Sequence, residues 1–236
     1  MSATLSPPMK PFFTPLLRRV YVVFALILAV HFAWPVVMSS PWNRQRLLHL
    51  LITTDKAPVR ERAAADLAAY GGEEQLMAAL RESSAAVQDA ATGALLQLWF
   101  SRGGADAVEL LARAQQFAGK NELRRALVVL NYLTRLHPFY APGWDCRATV
   151  HWKLGHLRKA ESACRKVVLL NPNHFAAWRS LGVCQLAQGH VAEASESLLR
   201  ALFIAPEDRI ARAYFRRCGE LKGRIRNRPG VGLLEI

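Results

Sequence analysis

The feature that most constrains this chain is a spacing of 34 residues that recurs through its second half. Trp144 and Trp178 are 34 apart, and so are Gly155 and Gly189, Ala160 and Ala194, and Pro172 and Pro206. One more step back reaches Leu110, Ala126 and Pro138. A fixed period of this length implies stacked units, because a single unit cannot bury its own apolar face and must use its neighbours. The units fall at residues 107–140, 141–174 and 175–208. Leucine and alanine dominate, and β-branched runs are few beyond the first forty residues, so the units are helical.

Each recurring residue has a mechanical reason. Trp144 and Trp178 are large anchors early in the first helix of a unit. Gly155 and Gly189 sit between two helices, where a left-handed backbone is needed. Ala126, Ala160 and Ala194 are small enough for the helices of a hairpin to approach closely. Pro138, Pro172 and Pro206 stop the second helix and open the next unit.

The pattern resembles the tetratricopeptide repeat. The third unit carries Trp178, Leu181, Gly182, Gly189, Ala194, Ala201 and Pro206 on the family's signature. The second keeps Trp144, Ala148, Gly155, Ala160 and Pro172, with Arg147 where the family prefers Leu. The first keeps Ala114, Phe117, Ala126, Leu133 and Pro138, with Asn121 where the others have glycine. Asn tolerates the same left-handed backbone. A further helix over 208–222 has Ile210, Ala213, Tyr214, Cys218 and Leu221 at helical spacing, and reads as the cap that covers the last open face.

Residues 43–102 carry a second repeat. Val59 and Val87 are 28 apart, and Ala63 and Ala91, and Leu67 and Leu95, keep the step. The runs APVRERAAADLAAYGG and SAAVQDAATGALLQLW resemble the second helix of short HEAT-like repeats. The expected fold is all-α, an α-solenoid of helix hairpins, HEAT-like and then tetratricopeptide, continuous and right-handed, with one N-terminal transmembrane helix. Its segments are an extended basic tail over 1–19, the membrane helix over 20–39, HEAT-like repeats over 43–102, three tetratricopeptide units over 105–208, and a basic cap and tail over 209–236.

The membrane helix rests on Val20 to Met38, which has no Asp, Glu, Lys or Arg. At 1.5 Å per residue it spans roughly 28 Å, close to the hydrocarbon thickness of a bilayer. Trp34 and Trp42 stand where an aromatic belt would stand, and His31 is the only ionisable group within. The apolar run exceeds that of a signal peptide and no A-x-A-like site follows, so an uncleaved anchor is expected. Arg18 and Arg19 abut the helix on one side, Arg44 and Arg46 follow on the other, and the near-balance gives only a small preference for a cytoplasmic N-terminus. The expectation is a bacterial inner membrane protein with its repeats on the periplasmic side. Four unpaired-looking cysteines, Cys146, Cys164, Cys184 and Cys218, argue the other way, because oxidising compartments pair thiols.

No catalytic or metal-binding pattern emerges. There is no nucleophile elbow, zincin motif or phosphate-binding loop. Five of seven histidines fall in the tetratricopeptide region, at positions 137, 151, 156, 174 and 190. His151 and His156 are five apart, a spacing that does not share a helical face. No enzyme activity, metal, cofactor or small-molecule substrate is expected.

The resemblance implies a concave groove lined by the first helix of each unit. Its positions here are Val108, Leu111, Gln115 and Ala118, then Asp145, Thr149, Trp152 and Lys153, then Ala176, Arg179, Val183 and Leu186. Trp152 and Arg179 stand out, since Trp and Arg are common interface anchors; Trp152 packed between helices is the equal alternative. Leu111 and Gln115 occupy two positions of the basic clamp by which some relatives hold chaperone tails, so an amphipathic helix or extended peptide suits this groove better. The expected partners are other proteins, subunits of a membrane complex. The chain's formal charge is +13, and the cap adds Arg209, Arg212, Arg216, Arg217, Arg224 and Arg226. That face is a solvated surface, a binder of anionic lipid, or a nucleic-acid binder; aromatic interleaving is thin, with only Tyr214 and Phe215, so nucleic acid ranks last.

Overall fold

The computed structural model describes residues 15–226 and shows twelve helices and no strand among them. The N-terminal helix α1 (Pro15–Met38) starts on a proline, which is pre-set for a first helical position. Its stretch Arg19–Met38 has a mean hydropathy of 2.3 and none of it is buried against the rest of the chain. By length and composition it is apolar enough to cross a membrane. Ser40 then accepts a hydrogen bond from Asn43 N at 3.2 Å and caps α2 (Pro41–Thr53).

Two hairpins follow. Helix α2 pairs with α3 (Ala57–Ala69), and α4 (Glu73–Ala79) pairs with α5 (Ala85–Ser101). Helices α3 and α5 also lie side by side. Their small buried residues, Ala63, Ala64, Ala91 and Ala94, allow close approach, and Leu51, Leu67, Leu76 and Leu95 fill the space between. Trp99 donates its indole N–H to Glu73 Oε1 at 2.7 Å, and Arg102 bonds the other oxygen of the same carboxylate.

Three further hairpins form the repeat stack: α6 (Gly104–Gly119) with α7 (Leu123–Leu136), α8 (Ala141–Lys153) with α9 (Leu157–Leu170), and α10 (Phe175–Ala187) with α11 (Val191–Ile204). Helix α12 (Arg209–Arg226) covers the end. The turns obey the expected chemistry. Asn121 has φ 60°, and Gly155 and Gly189 have φ 73° and 85°. Gly182 serves close approach instead: a Cβ there would lie 2.6 Å from Leu198 Cγ and 3.0 Å from the Ala194 carbonyl. The period also repeats a hydrogen bond. Trp144 donates to the Pro138 carbonyl at 3.0 Å, and Trp178 to the Pro172 carbonyl at 2.8 Å. Each tryptophan therefore anchors its helix to the proline that opens the unit.

The two parts do not form one continuous solenoid. A linear stack would leave α4 and α5 touching only the first hairpin of the repeat stack. Here they lie across the edge made by the ends of several units. Tyr140 donates its hydroxyl to the Phe100 carbonyl at 2.6 Å, and Trp99 packs on the His174 ring with centroids 4.6 Å apart. Arg81 lies over the Phe203 ring at 5.5 Å. Phe175, Ile204 and Ala205 share one buried core with Leu76, Leu80 and Trp99. At the joint, Gly103 admits the Tyr140 ring, which a Cβ would meet at 2.5 Å, and Gly104 takes φ 79° at the start of α6.

Candidate functional site

Helices α7, α9 and α11 bury one face and leave the other to solvent. Helices α8 and α10 are gripped from both sides, which is why their apolar residues show little periodicity. The surface that α8 and α10 still present, closed by α12, forms a cleft of about 230 Å³. Asp145, Thr149 and Trp152 reach it from α8, and Arg179 and Val183 from α10. Ile210 and Tyr214 close it from α12.

Five of the positions expected in a groove are thus brought together: Asp145, Thr149, Trp152, Arg179 and Val183. Trp152 is 40% exposed, so it forms part of the cleft wall and is not packed between helices. The others lie elsewhere. Leu111 is a core residue, 3% exposed, against Ala107, Ala114 and Ala126, because α6 turns that face toward its own partner helix. Leu186 packs into the cluster that joins α11 and α12, and Ala176 against the N-terminal core. Ala118 packs on the first hairpin. Val108, Gln115 and Lys153 are exposed outside the cleft.

The capping helix is rotated from the register its spacing suggests. Its buried stripe is Ala211, Phe215 and Cys218, and this leaves Ile210 and Tyr214 free to face the cleft. Those two residues had a visible signal, the apolar face of the cap; only the rotation was illegible. Arg209, Arg212, Arg216 and Arg217 all point to solvent, and Arg212 pairs with Glu207 at 2.8 Å. Arg224 and Arg226 lie outside the described side chains. His31 and Trp34 are exposed along α1.

The polar end of the cleft is organised by Asp208. Its carboxylate accepts from Arg179 at 2.6 Å and from the backbone N–H groups of Ile210 and Ala211 at 3.0 Å, so it caps α12 and fixes Arg179 at once. Arg179 is therefore a fastener between the third unit and the cap before it is an anchor for anything else. Asp145 stands beside them. Burial pushes its carboxyl above the ordinary range, against the pull of His174 and Arg179. His174 is held down by burial, and its Nδ1 accepts from Ala177 N at 3.2 Å. On the cleft floor Cys164 and Cys184 share a hydrogen bond that pushes the first thiol up and the second down. All four cysteines are free.

One buried group lies just outside. His151 is 5% exposed and neither ring nitrogen has a hydrogen-bond partner among the described residues. Burial, then Arg147, His156 and Lys159, bring it down to about 4. Its ring lies 5.7 Å from that of His156, contrary to the helical-face argument, because α8 ends at Lys153 and Gly155 folds the chain back. No cluster of three metal-ligating side chains occurs among the described residues.

This architecture is an all-α helical repeat, a solenoid similar to the tetratricopeptide repeat over α6 to α11. A family model for the tetratricopeptide repeat matches residues 147–209. A tetratricopeptide-repeat-containing protein of Rhizobium etli is 29% identical over 113 residues, 48% of this chain and 55% of that one. The chain thus spans about half the length of the curated relative it matches. Among solved structures, the first tetratricopeptide domain of Spaghetti (RPAP3), bound to the HSP90 peptide SRMEEVD, has a TM-score of 0.49 at 20% identity, over 50% of this chain and 93% of that one. The Sgt2 tetratricopeptide domain from Aspergillus fumigatus has a TM-score of 0.49 at 14% identity, over 56% and 88%. Tetratricopeptide domains mediate protein–protein interaction.

Proposed function

We propose that this chain is a membrane-tethered docking subunit. Helix α1 anchors it, α2 to α5 form a HEAT-like spacer braced against the repeat stack, and the cleft between α8, α10 and α12 receives a segment of a partner protein. The observation that carries this reading is the convergence of Asp145, Thr149, Trp152, Arg179 and Val183 on one cleft with an exposed indole in its wall. Apolar walls around a few fixed polar groups are what peptide and ligand sites share. We place it in a bacterial inner membrane as an accessory or assembly subunit of a membrane complex, with the repeats on the periplasmic side.

The test is co-purification from membranes in mild detergent. The wild-type chain is expected to bring down a stoichiometric partner. Trp152→Ala is expected to lose it with an unchanged thermal melt. Recovery as a lone monomer would count against the proposal. Arg179 is unsuitable as a probe, because its removal would strand the buried Asp208 carboxylate.

A second reading draws on the exposed Arg209, Arg216 and Arg217 on α12. They suit an anionic lipid surface, to which a tethered domain is already close. That reading predicts vesicle binding that collapses between low and moderate salt.

A further inference from the structure

The charges at the cleft run against those of the whole chain. The protein carries +13, yet Asp145 is the carboxylate that lines the cleft, and the positive neighbours that act on it are His174, itself held toward its neutral form by burial, and Arg179. Arg179 is committed to Asp208 at 2.6 Å, and Asp208 is further held by two backbone N–H groups. Asp145 has no hydrogen bond or ion pair with any described residue. His174 and Arg179 act on this carboxylate without a direct bond, burial outweighs them, and a charge held so is costly until a cation arrives.

The walls fit such a cation. Trp152 and Tyr214 are 40% and 38% exposed and line the same cleft as Asp145. Aromatic faces attract a cationic head, and apolar surface accommodates the methylene stem of a long basic side chain. Thr149 and Ser180 add hydroxyls to the lining. The cleft therefore offers a carboxylate end and aromatic walls within one small volume.

We propose that the cleft receives an arginine or lysine side chain of the partner polypeptide, its cationic head against Asp145 and its stem along Trp152 and Tyr214. This rests on the docking reading above and adds the chemistry of the docked residue. The burial that disfavours the Asp145 charge acts in the same direction: a bound cation restores the ionised form, so binding strengthens as pH rises through the range where Asp145 titrates.

The test uses the full chain in detergent and three nonapeptides, Ac-GSLAXALSG-NH2, with X arginine, norleucine or glutamate. Calorimetric titration should rank them in that order, with arginine roughly tenfold tighter than norleucine. The net charge of +13 attracts the glutamate peptide at long range, so bulk electrostatics cannot produce this order. Asp145→Asn should erase the arginine advantage and leave norleucine binding unchanged; Trp152→Ala should weaken all three peptides. Equal binding of arginine and norleucine overturns the cation proposal and leaves the docking reading standing. An arginine advantage that survives Asp145→Asn also overturns it. Failure of all three peptides to bind overturns both. The wild-type ranking decides the question even if a variant fails to fold.

Discussion

The N-terminal hairpins and the 34-residue repeat stack are both paired helices, yet they are held by different means. The stack is fastened by devices that recur. Each inter-helix turn has a left-handed residue, Asn121, Gly155 or Gly189, and the second and third units each have a Trp N–H bonded to a proline carbonyl. Such a structure is a sum of similar local contacts. The N-terminal pair has singular fasteners: Glu73 gripped by Trp99 and Arg102, and Arg44 donating to the Gly71 carbonyl at 3.1 Å. It is also tied outward to the stack, through Trp99 on His174 and Tyr140 on Phe100. One region is stable by repetition. The other has its own core of Leu51, Leu67, Leu76 and Leu95, which Phe175, Ile204 and Ala205 of the stack extend.

Removing the dock should have the largest effect. Trp99 is 3% exposed, stacks on His174 and holds Glu73. Trp99→Ala should cost about 3–5 kcal/mol. Hydrogen exchange should show protection lost first over residues 43–101 and at the start of α10. An uncoupled pair of regions would confine the loss to the first.

Acidification should act next, and on the stack. His151 titrates at about 4 in the folded state against an ordinary 6.5, so between those values the unfolded chain binds a proton that the folded chain refuses. Stability should fall as pH drops from about 6.5 to about 4, by on the order of 3 kcal/mol. His151→Phe should flatten that slope in denaturant titrations at several pH values. A slope that persists in the variant would place its origin elsewhere.

Two glycines then give opposite signs in the two regions. Gly182→Ala forces a Cβ within 2.6 Å of Leu198 and should cost about 1–3 kcal/mol. Gly93, inside α5, has nothing within 4 Å of such a Cβ. Gly93→Ala should raise stability by about 0.5–1 kcal/mol, the smallest effect of the set. Melting curves of the two variants check both signs.

This contrast also explains what could be read from the residues alone. The 34-residue period names the hairpins, their turns and the cap, because each rests on contacts within a unit or with the next. The docking of α4 and α5 across several units does not repeat, so no spacing records it. The rotation of α12 is similar: Ile210 and Tyr214 share the apolar stripe with Cys218, and only packing against α11 decides which of them is buried. Leu111 departs from its expected groove position for the converse reason. A family position gives the average direction of a side chain, and the first helix of this stack is a terminal one whose exposed face differs. Asp208, the residue that fixes Arg179, gave no warning beyond being an Asp ahead of a helix.

The central claim is that the cleft, and not the outer face of the stack, meets a partner protein. Site-specific photo-crosslinking in intact membranes tests it most directly. A benzophenone side chain at position 149 lies in the cleft, and one at position 128 lies on α7, where Val128 is 70% exposed. The account predicts one discrete protein adduct from position 149, lost on Trp152→Ala, and none from position 128. No adduct from position 149, or the same adducts from both positions, would contradict it.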